Sequence, residues 1–201
     1  MERVGPEDVR DTYDRQAGVF DAQRSQALVE AGWLARFADA LPGSGRVLDL
    51  GCGTGRPIAG WLTRQGFRVT GIDIAPAMIE IARRHCPEGD WRIADMRRLD
   101  LPERFDGLVG WDSFFHLSPD AQRAVLPRLA GHLRPGGALM LTVGPRAGEV
   151  RGRVGDAPVY HASLSPAEYA TALEATGMRL AGFHAEDPDC GGRSVLLARK
   201  D

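Results

Sequence analysis

Val47-Leu48-Asp49-Leu50-Gly51-Cys52-Gly53-Thr54-Gly55 is the stretch that decides the fold. An apolar run ends in three alternating glycines, and a helical pattern from Pro57 to Gln65 follows. Glycine accepts positive φ and lets a ligand come close to the backbone. The start of the helix behind such a loop offers unpaired N–H groups. In open α/β sheets this crevice, at the carboxyl ends of the strands, is where ligands bind. A ligand-free strand-to-helix turn would carry the same letters, so the surroundings must discriminate. Asp49 would repel a pyrophosphate but suits a ligand bearing an ammonium. The spacing is G-x-G-x-G, not the dinucleotide G-x-G-x-x-G. Both features point away from a nicotinamide cofactor. Asp73 ends the next apolar run, Val69-Thr70-Gly71-Ile72. An acid there, roughly 20 residues on, is placed to accept hydrogen bonds from ribose hydroxyls. The plainer alternative is a solvated acid near a helix start.

On either side of this stretch, strands alternate with helices. Gly5-Pro6-Glu7-Asp8 opens a helix with Val9, Tyr13 and Ala17 on one face, and Ala27 to Leu41 forms a second. After Arg46–Leu50, strands are expected at 67–73, 91–94, 105–111 and 138–143, with helices at 76–85 and from Ser118 to about Leu133. Ser165-Pro166-Ala167-Glu168 reads as a capping box opening one more helix. Two last strands, near 179–185 and 194–199, meet at a turn too short for a crossover, so they must pair antiparallel. The expected fold is α/β: a doubly wound, seven-stranded, mostly parallel sheet with an antiparallel last strand and helices on both faces. Residues 1–201 read as one domain, with 1–42 a helical lid and helix. Residues 144–165 have no evident element and read as a loop on the substrate side.

Composition narrows the class. Hydrophobic residues make up 43% of 201 and the net charge is −2. That balance gives no electrostatic reason to expect nucleic acid or an anionic membrane. No apolar run approaches the ~20 residues that span a bilayer. Met1 to Arg15 lacks the apolar core of a signal peptide. Cys52, Cys86 and Cys190 are far apart, form no CxxC pair and suggest reduced thiols in a cytoplasm. No metal-ligand cluster is evident.

VLDLGCGTG, then VTGIDIAPAMIEIAR, ADM, FDGLVGWDSFFHL and LRPGGALMLTV together resemble the class I S-adenosylmethionine-dependent methyltransferases. The resemblance runs from about Tyr13 to Val143. It implies that Gly51, Cys52 and Gly53 approach the methionyl part of S-adenosylmethionine, with Asp49 near its ammonium. It implies Asp73 on the ribose, Ile74 and Met78 on the adenine side, Asp95 accepting from the adenine amino group, and the Met96 N–H at the ring. Trp111 would face the methionyl group. Tyr13 lies in a YDxxAxxFD-like segment, Tyr13 to Asp21, that would form a lid. Ala75 departs from the family, where a serine often caps the next helix, and its presence weakens that cap.

Methyl transfer is a displacement in which the protein mainly aligns the nucleophile and excludes water. A base is needed only if the acceptor must lose a proton. His116 is the first candidate, with a histidine that merely orders its loop as the alternative. Tyr160 and His161 are the second pair, and Arg146, Arg151 and Arg153 could meet an acidic acceptor or simply be solvated. Phe114 and Phe115 read as core and pocket wall. Cys190 has no positive partner at its spacing that would make it a nucleophile. The expected activity is methylation of a small molecule on O or N. An NAD(P)-dependent oxidoreductase and a non-catalytic S-adenosylmethionine-binding domain stay open as alternatives; oligomeric state is not set by the sequence.

Overall fold

The computed structural model describes residues 4–25 and 27–201; Met1–Arg3, where the signal-peptide reading began, lie outside them. The elements in chain order begin with α1 (Val9–Gln23), α2 (Ala31–Asp39), β1 (Arg46–Leu50), α3 (Ile58–Arg64), β2 (Arg68–Asp73) and α4 (Pro76–His85). There follow β3 (Asp90–Ile93), β4 (Phe105–Gly110), α5 (Pro119–His132), β5 (Leu133–Val143), β6 (Gly148–Val154) and β7 (Ala157–Ser163). The chain closes with α6 (Pro166–Glu174), β8 (Met178–Asp187) and β9 (Arg193–Lys200). Seven strands make one sheet in the order β3-β2-β1-β4-β5-β9-β8. The pairings among β1 to β5 are parallel, and β9 runs antiparallel to both its neighbours. The chain order reverses at β1, which pairs with β2 on one side and β4 on the other.

The strands read as unbroken apolar runs because both faces are covered. Leu48, Leu50, Leu139 and Leu141 pack with Val125, Leu126 and Leu129 of α5 and with Tyr169 and Leu173 of α6. Val47, Val109, Met140 and Val195 point the other way, onto Leu34 and Phe37 of α2, Ile58 and Leu62 of α3, and Ile79 of α4. The two-residue period of a strand sorts neighbouring side chains to these two layers.

The ends of α5 and α6 follow the sequence signals, whereas α2 begins at Ala31, four residues after the expected Ala27. Ser118 Oγ accepts the Ala121 N–H, and the capping box of Ser165 and Glu168 is formed. At α4 the N-cap is Ala75, which has no side-chain oxygen to offer. The missing acceptor comes from α1 instead: Asp14 Oδ1 takes the Ala77 N–H at 2.8 Å. At the far end of α4, His85 Nε2 meets Asp21 at 2.9 Å. Two carboxylates seven residues apart on α1 therefore hold it along α4.

Two segments differ from expectation. Residues 144–165 are not a structureless loop. They carry the two-stranded antiparallel sheet β6–β7, paired from Gly148↔Ser163 to Val154↔Ala157. Its turn is Gly155-Asp156, and φ of +53° at Gly155 needs glycine. The second difference is at β5, which starts at Leu133 with an irregularity opposite Phe105 and Gly107; Arg134 to Gly137 bulges within the strand and does not precede it. No described helix is long and apolar enough to cross a membrane.

Candidate active site

The glycine loop is pinned to the next strand. The Gly51 and Cys52 N–H groups both donate to the Ile72 carbonyl, at 2.8 and 3.0 Å. Gly53 N–H donates to Asp73 Oδ2 at 3.0 Å and Ala75 N–H to Asp73 Oδ1 at 2.9 Å. One carboxylate thus ties the loop after β1 to the turn after β2. Gly51 sits at φ +68°, and a β-carbon there would collide with the Ser113 side chain. Ser113 Oγ in turn donates to the Leu50 carbonyl at 2.5 Å.

These turns open on a cavity of about 1020 Å³, at the upper end of the range for small-molecule sites. Asp49, Gly51, Cys52, Gly53 and Asp73 line one part of it, and Ile74, Met78, Asp95 and Met96 the adjoining part. Asp49 is 3% exposed. Among the described residues it makes no hydrogen bond. Burial, then the neighbouring Asp73, push its carboxyl up to about 7. Burial likewise raises Asp73, to about 6, against the pull of its backbone donors. Asp95 is already gripped by Arg97, whose Nε donates at 2.8 Å. Burial and the nearby carboxylates hold the Cys52 thiol well above its usual range, so it stays protonated.

The same cavity is also lined by Tyr13, Trp111, Phe115, His116 and His161. Trp111 follows directly on β4; its Nε1 is buried with no hydrogen-bond partner. His116 Nδ1 lies 2.9 Å from the Tyr160 carbonyl, and Nε2 lies 2.9 Å from the Tyr13 hydroxyl. A carbonyl only accepts, so Nδ1 carries the proton. Burial lowers the imidazole to about 4, leaving it neutral with Nε2 bare, and the Tyr13 O–H donates to it. Burial also lowers His161, which makes no hydrogen bond among the described residues and packs at a tilt against Phe115 and His116, with ring centroids 4.5 and 4.9 Å away.

Tyr160 does not line the cavity. In β7 its side chain points away from the face that His161 presents, as alternation along a strand requires. Only its backbone carbonyl takes part, so the side-chain role expected for Tyr160 is corrected. Sequence reasoning also missed the ion pairs of this region. Arg193 grips Asp112 through both Nε and Nη2, at 2.8 to 3.0 Å. Arg24 Nη2 meets the fully buried Glu30 at 2.9 Å. The partners lie 81 positions apart in the first pair, beyond any local pattern, whereas Arg24 and Glu30 are only six apart and readable in hindsight.

Residues 47–137 match a family described as a methyltransferase domain. Over 109 residues the chain is 38% identical to a ubiquinone biosynthesis O-methyltransferase of Xanthomonas campestris, covering 51% of this chain and 44% of that one. Over 137 residues it is 31% identical to a dTDP-4-amino-2,3,4,6-tetradeoxy-D-glucose N,N-dimethyltransferase of Saccharopolyspora spinosa, covering 67% and 53%. The chain thus matches only about half the length of these relatives. A solved 1,6-didemethyltoxoflavin-N1-methyltransferase of Burkholderia thailandensis, with its substrate and S-adenosylhomocysteine bound, superposes with a TM-score of 0.74 at 23% identity, covering 100% of this chain and 92% of that one. With the matched residues at its centre, the chain carries a methyltransferase domain on the fold that solved S-adenosylmethionine-dependent methyltransferases share.

Proposed function

We propose that the chain is an enzyme that moves the methyl group of S-adenosylmethionine to oxygen or nitrogen of a small-molecule acceptor. The observation that carries this reading is the single cavity lined by the glycine loop and Asp73 together with His116 and His161. The residues suit the cofactor's chemistry. Asp49 is a buried carboxylate with no donor on it, which an ammonium would satisfy. Asp73 keeps lone pairs beyond its two backbone donors for a ribose. Ile74 and Met78 supply apolar walls for an adenine, with Asp95 and the Met96 N–H at its edge. Trp111 lends part of its ring to the cavity wall, at the methionyl end. Bound there, S-adenosylmethionine supplies an activated methyl group together with its own leaving group.

The chain's own residues then align and enclose. Tyr13 and Phe20 from α1 roof the cavity as a lid, and the β6–β7 hairpin walls the acceptor side. His116 has both nitrogens engaged, so we assign it to holding Tyr13 in place. His161 is the imidazole left to bind an acceptor or take its proton. The three thiols, all free and buried, suit a reducing compartment, and we place the chain in the cytoplasm, working without nucleic acid or membrane.

The test is incubation with methyl-labelled S-adenosylmethionine and panels of small amines, phenols and alcohols, read by mass spectrometry. Labelled product with S-adenosylhomocysteine is expected. Tight cofactor binding with no transfer to any acceptor would overturn the reading in favour of a binding domain. Binding of NAD in preference would favour an oxidoreductase.

The raised carboxyls give a pH dependence. The cofactor's ammonium pairs with ionised Asp49, so binding releases a proton wherever Asp49 is still protonated in the free protein. Affinity should rise about tenfold per pH unit below pH 6 and level off above about 8. Calorimetry with S-adenosylhomocysteine in buffers of different ionisation enthalpy checks it, and a flat profile from pH 5.5 to 8 would remove Asp49 from the site.

A further inference from the structure

Gln122 lies in the first turns of α5 and is fully buried. A buried amide must use its donors and acceptor within the protein. Gln122 Nε2 donates to the Leu117 carbonyl and to the Ala162 carbonyl, both at 2.9 Å. Its Oε1 accepts the Tyr169 O–H at 2.6 Å. Carbonyl oxygens only accept, so the amide can face one way only. Tyr169, itself fully buried on α6, also contacts Ser163 Oγ at 3.2 Å. Leu117 directly follows His116, and Ala162 directly follows His161. One amide therefore stands behind both histidines and bridges the segment after β4 to strand β7.

We propose that Gln122 is a positioning residue for the methyl transfer: its amide sets the spacing between the His116 segment and β7, and so the grip of the Tyr160 carbonyl on His116 and the packing of His161 against Phe115 and His116. This rests on the reading that His116 and His161 face the acceptor. Space alone does not require an amide here, since an apolar side chain of equal length would fill the volume. What such a side chain cannot do is hold two carbonyls at a fixed separation. The hairpin pairs with no strand of the main sheet, so its placement rests on such side-chain ties.

Gln122→Met and Tyr169→Phe, saturated with S-adenosylhomocysteine, test this without a known acceptor. Calorimetric affinity should stay within about twofold of wild type, because neither residue lines the cavity. Hydrogen exchange at Tyr160 to Ser163 should quicken by about tenfold or more in Gln122→Met, as two buried carbonyls lose their donors. The ¹⁵N signals of the His116 ring should lose their fixed Nδ1–H signature. Tyr169→Phe keeps both Nε2 donors on the Leu117 and Ala162 carbonyls and takes away only the donor on Oε1, so it should shift the same signals less than Gln122→Met does. Wild-type exchange and ring signals in Gln122→Met overturn the proposal. Should that variant not fold, wild-type exchange and ring signals in Gln122→Leu, which removes the same two donors, overturn it. If wild-type protein does not bind S-adenosylhomocysteine, the methyl-transfer reading falls, while the exchange and ring signals of the unliganded protein still decide the role of Gln122.

Discussion

Asp73→Ala should weaken S-adenosylmethionine and S-adenosylhomocysteine alike by about 1.5–3 kcal/mol, the range for hydrogen bonds to a charged group. The side chain has two duties. It is the acceptor expected at a ribose, and it holds the Gly53 and Ala75 N–H groups at 3.0 and 2.9 Å. Asp73→Asn separates them. The asparagine oxygen still takes one backbone donor, but the amide presents N–H groups where hydroxyls would donate. Asparagine should therefore recover stability towards wild type while recovering little affinity. Calorimetry and urea unfolding on both variants check this. Wild-type affinity in Asp73→Ala would remove the carboxylate from the ligand's sugar.

Gly51→Ala should cost the fold about 2–4 kcal/mol. Roughly 1–2 kcal/mol follows from placing a β-carbon in the left-handed region, and the remainder from overpacking against Ser113. Ser113 cannot simply turn away, because its hydroxyl holds the Leu50 carbonyl at the end of β1. Gly53→Ala is the informative contrast. Gly53 also has positive φ, at +52°, but a β-carbon there meets only the Phe20 ring, at 3.4 Å. It should lose only about the backbone part of the stability. A urea midpoint for Gly51→Ala equal to wild type would show that the loop relaxes freely and that its shape is not fixed by Ser113.

The sheet was legible because its signals are local. Val47 to Leu50 and Ala138 to Val143 are continuous apolar runs, which is how strands covered on both faces must read. The last two strands were joined by too few residues to cross over, so their antiparallel pairing followed from length alone. The β6–β7 hairpin was not legible as strand. Nearly all of Gly148 to Arg153 is exposed, so no buried face imposes an alternating pattern. Its one sequence cue was Gly155-Asp156 between Val154 and Ala157, a pair typical of two-residue hairpin turns.

For the site, the glycine loop and Asp73 could be placed because each ends a strand. What decides the chemistry could not. Tyr13 and His116 are 103 positions apart, and their hydrogen bond occupies the nitrogen that a base would need. Asp112 and Arg193 meet only because β9 returns beside β5, which lies next to β4. Gln122 reads in sequence as an ordinary polar residue on a surface helix. Its burial is set by α6 and the hairpin closing over it.

The acceptor that Ala75 lacks is supplied by Asp14, so α4 borrows the finish of its first turn from a different helix. Tyr13, its neighbour in sequence, reaches His116. Roof and pillar thus share a single joint. Cutting the chain ahead of Arg24 would take Tyr13 and Phe20 out of the cavity's lining and, with Asp14, also unseat the start of the helix that carries Met78.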